Sequence, residues 1–177
     1  DNPSAALWRG IALADAQRWA EAREELERGQ PAVDGLPPSW RTRFHLALAE
    51  TALNLNDIVV ADQASMAAAS AASPEQRGQA ALLAARIQAA RGDGAGALVA
   101  FDALTRSRSE PVAVRASLEA VRTRRMLGQI TPEAAAEVLD GLRFRWRGDE
   151  LELQAVATLA EAYVEMNRQR EALLVMQ

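Results

Sequence analysis

Apolar residues recur along this chain every third or fourth position, in stretches separated by short polar or glycine breaks, which is the period of amphipathic helices rather than of strands. Five breaks share a phase. They fall at Gln17, Asn56, Gly92, Gly128 and Asn167, in steps of 39, 36, 36 and 39 residues. Ahead of each break stands a small or β-branched residue, Gly10, Ala49, Ala85, Val121 and Ala160; behind each stands an alanine, Ala22, Ala61, Ala97, Ala134 and Ala172, in steps of 39, 36, 37 and 38. A fixed period in this range predicts stacked helical hairpins.

The spacing predicts helices over residues 4–16 and 20–29, with Trp19, Ala22 and Leu26 on one face of the second. A second hairpin starts near Ser39 as N-cap, passes Leu46, Ala49 and Leu53, turns over residues 54–57 and returns through Ile58, Ala61, Ala64 and Ala68. The third opens with Ser73-Pro74-Glu75-Gln76, where serine caps, proline takes the first helical position and glutamine reaches back as a capping box. It breaks at Arg91-Gly92-Asp93 and resumes with Ala97, Phe101 and Leu104. The fourth runs over residues 110–127, stops at Gly128 and restarts at Thr131-Pro132-Glu133; the fifth starts at Asp149 with Glu152 in the capping-box position. Residues 30–38, with three prolines and a glycine, read as the longest irregular segment. The expected fold class is all-α, an α-solenoid of about five stacked antiparallel hairpins in one array over residues 1–177. Its repeats are 3–36, 39–72, 73–108, 109–148 and a truncated 149–177.

Composition sharpens this picture. Hydrophobic residues make up 49% of the 177 positions but aromatics only 5%, and 39 positions are alanine, so the core is expected to be thin and closely packed. All 20 cationic residues are arginine. That bias suggests a GC-rich bacterial genome. With no cysteine there is no disulfide or thiolate site, which leaves cytoplasm and periplasm both open. No run approaches the ~20 apolar residues of a membrane span, so no membrane insertion is expected. The start, Asp-Asn-Pro, carries neither methionine nor a signal pattern, and a piece of a larger bacterial protein is expected. A net charge of −4 argues against a nucleic-acid partner.

Little in the chain points to catalysis. His45 is the single histidine, and it falls where a bulky packing residue is expected; no metal, cofactor or catalytic residue is assigned. The glycines stand singly at helix ends rather than in phosphate-binding clusters. Arg147-Gly148-Asp149 reads as a helix corner ending in an aspartate cap. In Arg143-Phe144-Arg145-Trp146-Arg147 the arginines are expected to complement the carbonyl end of the preceding helix, with Phe144 and Trp146 wedged between the fourth and fifth units.

The hairpin pattern resembles the tetratricopeptide repeat. The residues that carry the resemblance are Leu48-Ala49 with Ala52 and Ala61; Leu159-Ala160 with Tyr163, Ala172 and Met176; and Gly10 with Leu13, Trp19, Ala22 and Leu26. The third unit joins through Gly92, Ala97 and Phe101, and the fourth departs most, with Val121 at the small position. The resemblance implies a right-handed superhelical arc whose first helices line a concave binding face. Transferred to this chain, the inward positions include Arg43, Glu50 and Asn54; Leu82 and Arg86; and Arg115, Leu118, Arg122 and Arg125. Arginine forks pair with carboxylates in two bonds at once. The resemblance therefore implies a non-catalytic scaffold or adaptor that holds an acidic or amphipathic segment of another protein. The alternatives are a structural spacer or oligomerisation segment, or the docking arm of a larger enzyme. The lysine–asparagine clamp of some members is missing, since lysine is absent. Ala172, Leu173 and Met176 are expected to leave an apolar strip open at the C-terminal end, with further helices or self-association covering it.

Overall fold

A computed structural model describes residues 2–177, and among them it contains ten α-helices and one 3-10 helix, with no strand. The helices are α1 (Pro3–Asp15), α2 (Trp19–Gly29), α3 (Pro38–Asn54), α4 (Ile58–Ala71), α5 (Arg77–Ala90), α6 (Gly94–Leu104), α7 (Glu110–Met126), α8 (Pro132–Arg145), α9 (Glu150–Glu165) and α10 (Gln169–Val175). They form two compact units, divided after Gly92.

All five in-phase breaks adopt the left-handed backbone conformation, at φ of 59° for Gln17 and Asn56, 95° for Gly92, 65° for Gly128 and 58° for Asn167. At four of them the next residue's amide donates back across the turn. Arg18 bonds the carbonyl of Leu13, Asp57 that of Ala52, Gln129 that of Arg124 and Arg168 that of Tyr163, at 2.8–2.9 Å. This six-to-one bond takes up a carbonyl that a helix end would otherwise leave unpaired. Short polar side chains then start the next helix. Asp57 accepts from Val60, Asp93 from Gly96 and Thr131 from Ala134, at 3.2, 2.9 and 3.2 Å.

In the N-terminal unit, Leu7, Ile11, Ala22, Leu26, Val33 and Phe44 join α1, α2 and α3 into one core cluster. A second cluster of Ala49, Ala52, Ala61, Ala64, Ala68, Ala80, Leu83 and Ile87 joins α3, α4 and α5. Small residues set the helix separation. A Cβ on Gly29 would stand 2.5 Å from the Leu7 Cα, and one on Gly10 would stand 2.8 Å from the Leu26 amide nitrogen. In the C-terminal unit, Leu118, Val121, Ala135, Leu139, Leu151, Ala155 and Leu159 bind α7, α8 and α9 together, and Trp146 and Tyr163 pack against them.

Four local expectations are corrected. The helix α3 starts at Pro38 rather than after Ser39, because the fixed φ of proline suits the first helical position while the Pro37 carbonyl accepts from Trp40 and Arg41. The helix α5 starts at Arg77: the Ser73 hydroxyl donates to Glu75 at 2.8 Å, so only half of the capping box forms, with Gln76 Oε1 accepting from the Ser73 amide. Residues 30–38 are not wholly irregular, since Gln30–Gly35 is a 3-10 helix that buries Val33. In the fourth hairpin Ala135 is fully buried and Ala134 exposed, one residue later than the repeat arithmetic predicts.

Candidate functional site

In the N-terminal unit, α1, α3 and α5 present one side each to a groove of about 440 Å³. Ala14 and Asp15 come from α1, Arg43, Leu46, Ala47 and Glu50 from α3, and Gln79, Leu82 and Arg86 from α5. Helical spacing explains the grouping, because Arg43, Ala47, Glu50 and Asn54 follow one another at three- and four-residue steps along α3. Arg43 Nη2 donates to Asp15 at 2.7 Å, joining α3 to α1. Arg86 Nη1 reaches both carboxylate oxygens of Glu50, joining α5 to α3. Asn54 donates to the Glu50 carbonyl at 2.8 Å and lies outside the groove lining. The sequence-derived residues Arg43, Glu50, Leu82 and Arg86 thus meet in one place.

In the C-terminal unit, Arg122 and Arg125 of α7 face α9. Arg122 donates to Thr158 at 3.2 Å and to Gln154 at 3.3 Å, and it stands 4.0 Å from Glu119. Arg125 pairs with Glu161 at 3.1 Å and Glu165 at 2.6 Å. Burial opposes its charge, yet the two carboxylates outweigh that cost and hold its pKa above the ordinary arginine value. Arg115 donates to Glu119 one turn along the same helix, at 2.8 Å. Leu118 is the exception among the expected groove residues. It is fully buried between α7, α8 and α9, and so belongs to the core rather than to any face a partner touches.

Each of the five expected arginines therefore has an acidic neighbour within its own unit. A face that reads as basic in sequence is charge-matched in three dimensions. What sequence reading missed is aromatic. Trp8 lies two turns before Asp15 on α1, and Trp40 one turn before Arg43 on α3; their rings meet edge to face at 4.8 Å with 83° between planes. Both are 41% exposed, and the Arg43 guanidinium lies 5.8 Å from the Trp40 ring centroid. Their seven-residue and three-residue offsets from the ion pair were the available signal.

Two further segments settle into structural roles. Gly148 takes a φ of 93°, and Asp149 Oδ1 accepts from the amides of Leu151 and Glu152 and from the Trp146 indole, so Arg147-Gly148-Asp149 forms a helix corner. Trp146 packs against the α8–α9 core as expected, but Phe144 does not wedge in: it is 65% exposed, under the Arg143 guanidinium at 5.4 Å. His45 is half-buried against the edge of Phe44. Burial, then Arg41, lower its pKa, with Asp34 acting in the other direction.

A second concavity lies between α9 and α10, about 740 Å³ in volume. Ala157, Ala160, Val164, Ala172, Leu173 and Met176 line it, and Leu173 and Met176 are 65% and 66% exposed. Of the apolar strip expected at this end, Leu173 and Met176 are open and Ala172 is buried. Among the described residues no group of side chains could hold a metal ion, and no helix is long and apolar enough to cross a membrane.

No protein-family profile matches the chain, and no curated protein matches it. Among solved structures it is similar to the crystal structure of the apo form of RapI, at 10% identity and a TM-score of 0.70, over 98% of this chain and 67% of that one. It is also similar to the structure MamA MSR-1 C2, at 15% identity and a TM-score of 0.58, over 98% of this chain and 91% of that one. Identities this low speak to architecture alone. The chain has a tetratricopeptide-like fold, an all-α repeat of helical hairpins.

Proposed function

We propose that this chain is a non-catalytic scaffold that holds a segment of another protein against the first helices of its hairpins. The observation that supports this most directly is the set of arginine–carboxylate pairs that cross from one first helix to the next, Arg43 to Asp15, Arg86 to Glu50 and Arg125 to Glu161. The carboxylates of these pairs are partly exposed, and an arginine fork can donate to a partner's carboxylate in place of the intrachain one. The favoured ligand is an amphipathic segment with acidic residues on one side. Its apolar side would meet Leu82, Leu46 and Ala47 in the groove of the N-terminal unit.

Affinity capture with the purified chain tests the reading when it is run beside charge-reversed forms. Partners should be lost with Arg86→Glu and Arg125→Glu and kept with Arg91→Glu, whose pair with Asp62 joins α4 to the end of α5 away from the groove. Equal capture by all forms would overturn it. A second reading rests on the open groove between α9 and α10, which favours self-association through that end.

A further inference from the structure

The apolar groove between α9 and α10 has a charged rim whose two signs are unequally exposed. Arg125 lies sheltered against Glu161 and Glu165, while the side chains of those two residues are 66% and 51% exposed. The rim therefore shows its carboxylates. On α10, Glu171 is held by Arg168 at 2.9 Å, whereas Arg170 is exposed and has no hydrogen bond or ion pair among the described residues. Arg170, Leu173 and Leu174 stand at three- and four-residue steps on one side of that helix, and both leucines are exposed. One short helix thus carries what the groove leaves unmet, an apolar pair to fill it and a spare cation for its rim.

We infer that two copies of this chain pair by laying α10 of each into the α9–α10 groove of the other, with Arg170 of one copy against Glu161 and Glu165 of the other. This rests on the reading that the chain self-associates through this end. Charge selects the register. With α10 of one copy opposite α9 of the other, both Arg170 side chains meet carboxylates; with α10 opposite α10, arginine would face arginine. A second copy is the occupant that needs no further component, because the acidic rim and the spare arginine lie on one surface, and a two-fold pairing makes each contact twice. The floor of Ala157, Ala160 and Val164 receives Leu173 and Leu174, whose burial drives association. Such pairing uses no residue of the N-terminal unit's groove, where the scaffold reading places the other protein's segment.

The test measures the mass of the intact chain by light scattering over a dilution series. Arg170→Glu puts an acid against the acidic rim and should weaken association by at least about tenfold. It should leave the fold intact, since an acid suits the first turn of α10, and thermal melting checks this. Glu161→Arg, with Glu165 kept to hold Arg125, should weaken association in the same way. An equimolar mixture of the two variants should associate again, because every contact between unlike copies then joins opposite charges. Arg147→Glu, an exposed arginine at the other end of α9, is the control and should associate as the wild type does. Undiminished association of Arg170→Glu, or a mixture no tighter than its components, would overturn the inference. If Leu173→Glu with Met176→Glu still dissociates the chain in that case, the self-association reading stands alone. A wild type that is monomeric at every concentration removes both.

Discussion

Arg86 grips both carboxylate oxygens of Glu50 through a single nitrogen, at 2.7 and 2.8 Å, across 36 residues of sequence. That separation is the repeat period itself, so the pair ties one hairpin to the first helix of the next. The Arg86 side chain is only 15% exposed and that of Glu50 32%. A pair this sheltered should be worth more than a typical surface bridge, though Asn54 still contacts Glu50 when Arg86 is gone. In a double-mutant cycle of Arg86→Ala and Glu50→Ala the coupling should be about 1 kcal/mol by chemical denaturation. A coupling near zero would mean that solvent screens the pair despite its position.

Helix crossings built on small residues should resist enlargement. Gly29→Ala drives a Cβ against the backbone of Leu7, which cannot swing aside, and should cost about 1–3 kcal/mol. Ala61→Leu and Ala97→Leu, at fully buried positions, should fall in the same range of roughly 1–3 kcal/mol. Gly141→Ala is the internal control. Nothing lies within 4 Å of its Cβ position inside α8, so alanine there should stabilise by roughly 0.5–1 kcal/mol. Thermal melts of the four variants check both signs, and equal destabilisation by all four would refute the packing argument.

His45 should make stability pH-dependent. Burial and Arg41 hold its pKa below the ordinary 6.5, so the unfolded chain binds a proton more readily than the folded one. Its contribution is complete above pH 6.5 and is lost as the pH falls from there toward the lowered folded value. Melting temperatures measured between about pH 7.5 and 5.5, above the range of ordinary carboxylates, should decline, and His45→Gln should flatten the decline. An unchanged slope in that variant would assign the effect elsewhere.

The groove between α9 and α10 should promote association between copies. Light scattering across a wide dilution series should show a mass that falls with concentration. Leu173→Glu with Met176→Glu should leave a monomer at every concentration, since each introduces a charge on the open apolar strip. A wild-type chain that stays monomeric throughout would remove the self-association reading.

How far the sequence could be read followed the physical specificity of each signal. The five breaks were legible because few residue types tolerate a left-handed backbone, and Gln17, Asn56, Gly92, Gly128 and Asn167 all adopt it. Thr131 and Asp149 were legible as caps because their side-chain oxygens accept from amides of the helix turn that follows them. Ser73 does have one, since Glu75 takes its hydroxyl and displaces the start of α5. Ala134-Ala135-Ala136 carries no phase, being three identical small residues, and which of them are buried had to be seen. At the candidate site, the transferred positions found Arg43, Glu50 and Arg86 but put core-facing Leu118 beside them. The pairing of each arginine with a neighbour's carboxylate depends on distances between helices that no linear spacing encodes. Trp8 and Trp40 escaped notice for the same reason, since each looks like an ordinary helix residue until the other is beside it.

The bonds that close four of the turns span only five residues, from Leu13 to Arg18, Ala52 to Asp57, Arg124 to Gln129 and Tyr163 to Arg168. The chain can reverse direction at each of these places before any distant contact exists, because the entropy lost in closing so short a loop is small. Proteins assembled from such local closures search few conformations and fold quickly. Nucleation is then not tied to one privileged region, and any of these hairpins can serve as the seed on which its neighbour condenses.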